Sequence, residues 1–216
     1  MVGAVKKPQQ QTGCATGLVL QVLFLALATV SGITIFSALK QSSVQAEDNV
    51  ARTAPQTGQW LEASFPVENF QRYTSPYGYR KSPTTGRLQF HRGLDFAAPL
   101  GSYIRNWWGG KVVGLSDHTP CGTMVVIQSG DWQHSYCHLK GSVQNTSEGL
   151  VLVDRGGGIR LRKGQIVETG SRIGRVGITG RTTGPHLHWE LKYAGEHIDP
   201  ALVLREMYNQ QAAMGE

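Results

Sequence analysis

Long runs of one charge are missing from this 216-residue chain, and no cluster of basic residues of the kind that grips nucleic acid is present. The formal net charge is +6, but Lys6, Lys7 and Lys40 fall in the first 46 residues, which hold no acid. The remaining body is therefore only mildly basic, compatible with an anionic polymer as partner and equally with none. Cysteine is scarce, with three in all. Cys14 precedes the apolar run of the N-terminus, so it does not occupy the usual place of a lipid-attachment cysteine. A phosphate loop is missing too. Gly177-Ile-Thr-Gly-Arg-Thr-Thr-Gly184 is glycine-rich but lacks the Gly-Lys-Ser/Thr core that would cradle phosphates.

What is abundant is glycine, 27 residues against 9 prolines, scattered among short Val/Ile-rich runs. That composition favours a β-rich domain with many turns over a helical one. Residues 1–46 read differently. A polar start carrying Lys6 and Lys7 is followed from Ala15 to Leu39 by an almost wholly apolar, uncharged stretch. A positive start and an apolar core define a secretory signal or an N-terminal membrane anchor. Val44-Gln45-Ala46 before Glu47 is a plausible cleavage site. Cleaved or retained, the segment places the rest of the chain outside the cytoplasm, periplasmic or extracellular, and anchored to the inner membrane if it stays. Residues 40–68 are rich in Gln, Ser, Ala and Thr with few apolar residues, and 47–68 read as a linker. The folded part is expected over 69–209, with 210–216 as a tail.

Chemistry concentrates in three places. Gly184-Pro185-His186-Leu187-His188-Trp189-Glu190-Leu191 alternates apolar with polar, the period of a half-buried strand. On a strand, residues i and i+2 share a face, so His186 and His188 project side by side while Leu187 and Trp189 pack behind them. Alone, such a pair is more often solvated or structural than a ligand set. Phe90-His91-Arg92-Gly93-Leu94-Asp95-Phe96 places His91 and Asp95 four apart, on one face if extended. A carboxylate between Leu94 and Phe96 must be paired, hydrogen-bonded or metal-bound if it is buried, or else cap a turn. Two histidines and one carboxylate, with a fourth position left open, is a catalytic zinc arrangement. Such ligands without thiolates suit zinc better than an iron–sulfur or copper(I) site. Arg80, in Ser75-Pro-Tyr-Gly-Tyr-Arg80, could touch a substrate or simply lie in solvent.

These motifs, with Tyr136-Cys137-His138-Leu139 and the flanks Tyr77-Gly78-Tyr79-Arg80, Val125-Val126-Ile127 and Ile173-Gly174-Arg175-Val176-Gly177, resemble the LytM or lysostaphin-like zinc metallopeptidases, family M23. The resemblance covers roughly residues 70–204. It implies an all-β fold whose antiparallel sheets form a groove. It implies one zinc per chain held by His91, Asp95 and His188, with His186 as general base and His138 stabilising the charge on the attacked carbonyl. The implied substrate is the peptide part of bacterial peptidoglycan, cut by an endopeptidase. Some members carry a tyrosine shortly before the His-x3-Asp motif; residues 81–90 hold none. LytM-like domains that have lost zinc ligands act as non-enzymatic regulators of other wall hydrolases; all three ligands are present here, which argues against that alternative. A wall-binding module that uses metal only for folding is a third class.

Between the motifs, Cys121–Gln128 and Trp132–Leu139 read as a hairpin turning at Ser129-Gly130-Asp131. Cys121 and Cys137 lie on it and can pair in an oxidising compartment if the register allows. Residues 141–163 look like an addition, an extra hairpin around Gly156-Gly157-Gly158. His118, His134 and His197 have no partner pattern and read as surface residues. Residues 199–209 read as a closing helix, with Asp199 as N-cap and Pro200 in its first turn.

Overall fold

The computed structural model describes residues 59–214. The leader 1–46 and the linker up to residue 58 lie outside the described residues. Among the described residues no helix is long and apolar enough to cross a membrane.

A 3₁₀ turn at Gln59–Glu62 opens the described chain. The strands follow as β1 (Arg72–Ser75), β2 (Gly78–Lys81), β3 (Leu88–His91), β4 (Leu94–Ala97), β5 (Tyr103–Arg105), β6 (Gly110–Ser116), β7 (Met124–Ser129) and β8 (Trp132–Cys137). Then come β9 (Ser142–Thr146), β10 (Gly149–Asp154), β11 (Ile159–Arg162), β12 (Ile166–Val167), β13 (Arg172–Arg175), β14 (His186–Tyr193) and β15 (Glu196–Ile198), closed by α1 (Pro200–Ala213). The fold is mostly antiparallel β-sheet with one α-helix among the described residues. The main sheet has the order β1-β4-β14-β8-β7-β6-β12, with β15 also pairing β14. Three smaller sheets, β11-β10-β9, β13-β5 and β2-β3, complete it.

β14 is central because both of its edges are used and its alternation is strict. Leu187, Trp189 and Leu191 are buried in the core, and His186, His188 and Glu190 face the other way. β4 pairs with its first half, setting His188 opposite Asp95. β8 pairs along its other edge, setting His188 opposite Cys137. The sheet register itself thus brings three separate stretches of sequence to one point. Behind β14, Trp189 joins Trp107 at a ring separation of 5.6 Å, and Trp107 joins Trp60 at 5.0 Å.

Three expectations are corrected here. The stretch 47–68 is not all linker: from residue 60 it packs into the domain, with Trp60, Ala63 and Val67 in the core. The Gln211 side-chain amide donates to the backbone carbonyls of Trp60 and Ala63, at 3.0 and 2.8 Å, so the start of the domain is tied to α1. α1 accordingly runs to Ala213 rather than 209, with the Asp199 carboxylate capping the Ala201 amide as expected. The addition 141–163 is a three-stranded meander rather than a hairpin, because β9 pairs with β10 as well. It is anchored by Arg175, which donates two hydrogen bonds to the Asp154 carboxylate at 2.7 and 2.8 Å. Gly156 and Gly157 lie against that guanidinium; a side chain at Gly157 would collide with it.

Candidate metal centre

His91 ends β3 and Asp95 lies in β4, joined by a turn through Gly93. A Cβ on Gly93 would stand 2.5 Å from the Trp189 carbonyl oxygen and 2.7 Å from His188 Cε1, so only glycine lets the His188 ring lie against this turn. His91 Nδ1 donates to the Pro76 carbonyl at 2.7 Å, because a carbonyl can only accept. Its Nε2 lone pair therefore points inward. His188 is turned the other way: Nε2 donates to the Glu190 carboxylate at 2.9 Å, and Nδ1 faces inward. His91 Nε2 and His188 Nδ1 approach to 2.9 Å, and Asp95 Oδ1 lies 3.2 and 2.8 Å from them.

Three electron-pair donors from His91, Asp95 and His188 thus fall within 4.8 Å of one another. Both outer ring hydrogens are already spent on a carbonyl and a carboxylate, so the two inner lone pairs face each other. Only a cation, proton or metal, relieves that contact. The titration behaviour says the same. Burial disfavours a charged His188, yet hydrogen bonds to Asp95 and Glu190 outweigh it and push its pKa up to about 9. Burial likewise opposes ionisation of Asp95, but hydrogen bonds from His188 and His91 hold its carboxyl well below the usual carboxylate range. The donor set fits a metal ion, and carbonyl and carboxylate partners on the outer nitrogens are the usual orienting contacts of metal-bound histidine.

His138 and His186 flank this triad. Their rings are 4.8 Å apart, and His138 is 6.1 Å from the His188 ring. His138 follows directly after β8 with φ +62°, a left-handed conformation that turns its side chain out of the strand and into the cleft. Its Nδ1 donates to the Thr179 carbonyl at 2.8 Å. Burial holds its pKa down, at about 4, so the ring is neutral and Nε2 presents a lone pair. His186 is fixed similarly: Nδ1 donates to the Gly184 carbonyl at 2.9 Å, beside the Thr182 hydroxyl. Its Nε2 is 3.7 Å from Asp95 Oδ1. All five expected residues line one cleft of about 710 Å³. The Cys121–Cys137 disulfide braces its rim, immediately before His138.

Arg80 also lines this cleft, with Nη2 3.6 Å from Asp95 Oδ2. Glu190, the partner of His188, was passed over in the sequence, although the alternation that aligned His186 and His188 extends to it. His118 is exposed as expected, and His197 is half-buried near Glu190. His134 overturns its expectation, being fully buried. The Trp107 backbone N–H donates to the Tyr136 hydroxyl at 2.8 Å, and that hydroxyl donates to His134 Nδ1 at 2.9 Å. His134 Nε2 then donates to Ser129 Oγ at 2.9 Å, and that hydroxyl donates to the Trp108 carbonyl. This chain needs a neutral ring, and burial lowers its pKa to about 3.

The chain belongs to peptidase family M23, whose sequence pattern matches residues 89–200. Among relatives, it is 34% identical over 164 residues to the peptidoglycan DD-endopeptidase ShyB of Vibrio cholerae, covering 73% of this chain and 34% of that one. It thus spans about a third of the length of the curated relatives it matches. A crystal structure of a zinc-containing peptidase from Vibrio cholerae superposes with a TM-score of 0.50 at 34% identity, covering 62% of this chain and 37% of that one. The catalytic domain of lysostaphin from Staphylococcus simulans shares the fold, with a TM-score of 0.50 at 23% identity, 70% of this chain and 99% of that one.

Proposed function

We propose that this protein is a zinc-dependent endopeptidase that cuts the peptide cross-links of bacterial peptidoglycan. The observation that carries the reading is the convergence of His91 Nε2, Asp95 Oδ1 and His188 Nδ1 on the floor of a cleft into which His138 and His186 also turn their Nε2 atoms. His91, Asp95 and His188 hold the ion. When bound, zinc supplies a Lewis acid that polarises a peptide carbonyl and lowers the pKa of a water to about 7. His186, with its hydrogen committed on Nδ1, offers Nε2 to take the proton from the attacking water and pass it to the leaving amine. His138 faces the same space; its ring is neutral in the free protein, and it takes up a proton on Nε2 as negative charge develops on the attacked carbonyl, which it then stabilises. Donors of that kind lower a barrier by roughly 3 kcal/mol. The relative's name points to a bond between D-amino acids. The Cys121–Cys137 disulfide suits an oxidising compartment, and with the charged-then-apolar leader it supports work outside the cytoplasm, periplasmic or extracellular.

The test uses the full chain: zinc content by elemental analysis, and release of free amines from purified peptidoglycan with and without a chelator. About one zinc per chain and chelator-sensitive release are expected. His186→Ala keeps zinc and fold but lowers hydrolysis by about 10²–10⁴-fold. Zinc without amine release on wall material from several bacteria would replace the enzyme by a regulator or a binding module.

A further inference from the structure

Four cations line the cleft, Arg80, Lys81, Arg92 and Arg181, against two carboxylates, Asp95 and Glu190. Both carboxylates are already engaged by His188. The cleft therefore carries surplus positive charge before any metal is added, which favours an anionic ligand. Lys81, Arg92 and Arg181 are exposed, whereas the Arg80 side chain is only 22% accessible. The β2–β3 hairpin explains why. Gly78 stands opposite His91 and Arg80 opposite Gln89, so Arg80 lies on the His91 face while Tyr79 and Phe90 stack on the outer one. The guanidinium is then held near the triad without being satisfied there. Among the described residues its nearest carboxylate oxygen, Asp95 Oδ2, is 3.6 Å away, beyond hydrogen-bond reach, and its Nε is buried with no partner.

A planar fork of donors that lines the cleft, with its Nε buried and unfilled, is suited to take a carboxylate in two parallel hydrogen bonds. We propose that Arg80 binds a free carboxylate of the substrate peptide and so selects which bond is cut. Because Arg80 adjoins Asp95, that carboxylate belongs to a residue flanking the scissile bond. The inference rests on the peptidase reading above, under which the anion on offer is a peptide's own carboxylate.

The test compares two peptides that differ only in whether the carboxylate beside the cut bond is free or amidated, using the zinc-loaded full chain. The quantity read is the ratio of kcat/KM for acid over amide. Wild type is expected to favour the acid by about tenfold to a hundredfold, the range of a charge-assisted hydrogen bond. Arg80→Gln brings the ratio close to one, with zinc content unchanged by elemental analysis. Arg80→Lys, which keeps the charge and loses the fork, falls between and decides the matter if the glutamine variant folds poorly. A wild-type ratio near one, or an unchanged ratio in Arg80→Gln, overturns the proposal. So does an equal fall for both peptides with loss of zinc, which would make Arg80 a counter-charge for Asp95. If wild type cuts neither peptide, the peptidase reading fails, and calorimetric binding of the same pair decides: a preference for the acid that Arg80→Gln abolishes sustains the proposal, and equal binding overturns it.

Discussion

Replacing Glu190 by glutamine tests the metal centre without touching a ligand. The carboxylate accepts the Nε2 hydrogen of His188 at 2.9 Å and thereby fixes which nitrogen faces the triad. An amide oxygen can still accept, so the ring keeps its orientation but loses the charge behind it. Loss of such a partner lowers metal affinity by about 10–100-fold, or roughly 1.4–2.8 kcal/mol. A second effect opposes this at neutral pH. Without metal, hydrogen bonds to Asp95 and Glu190 overcome burial and raise the His188 pKa to about 9, so at pH 7 a proton must leave before metal enters. Glu190→Gln weakens that proton's hold along with the metal's. The two losses partly cancel below pH 9 and separate above it. The affinity ratio of wild type to variant, from competition against a chromophoric chelator, should therefore be larger at about pH 9.5 than at about pH 7. Equal affinities at the higher pH, or a ratio that grows as pH falls, would refute the placement of His188 Nδ1 on the metal.

Other consequences can be measured on the same protein. Gly93→Ala forces a methyl against the Trp189 carbonyl and the His188 ring; it should cost about 1–3 kcal/mol in denaturant unfolding and weaken metal binding, and a variant with wild-type affinity would sink the close-approach argument. His134 is held neutral, with a folded pKa of about 3 against 6.5 unfolded, so the unfolded chain binds more protons between those values and stability falls as pH drops through that window. Wild type should lose up to about 1.4 kcal/mol per pH unit more than His134→Gln from pH 6 to 4; parallel curves would show the ring titrates in the folded state. Opening the Cys121–Cys137 bridge, which spans 16 residues, should cost about 3 kcal/mol under non-reducing conditions, read as a lower midpoint in Cys121→Ser/Cys137→Ser.

How legible the site was depended on the range of the interactions involved. The face shared by His186 and His188 follows from strand alternation, a local property, and so did the hairpin at Gly130 and the Asp199 cap. Glu190 was equally available from that alternation. His134 was not, because its partners Tyr136, Ser129 and Trp107 meet only once β7, β8 and the loop before β6 are packed; nothing beside it in sequence announces a buried imidazole. Trp60 stands 150 residues from the Gln210 side chain that receives its amide, so a polar neighbourhood concealed a core residue. β9 was missed because Ser142-Val-Gln-Asn-Thr146 buries neither face and carries no period for a pattern to reveal. The turn of His138 depends on a left-handed backbone at a non-glycine residue, which sequence does not mark.

The chain has five tryptophans, and Trp60, Trp107, Trp108, Trp132 and Trp189 form one connected cluster, each ring within 6.2 Å of another. Chromophores this close couple optically. The near-ultraviolet circular dichroism of the protein is then a property of the assembled core rather than a sum of separate rings, and its loss reports the moment the core opens. The signal also has a sharp dependence on where the polypeptide starts. A fragment beginning at residue 69 keeps every candidate ligand and both cleft histidines yet lacks one member of the coupled set, so its spectrum differs from that of the full chain even if its zinc content does not.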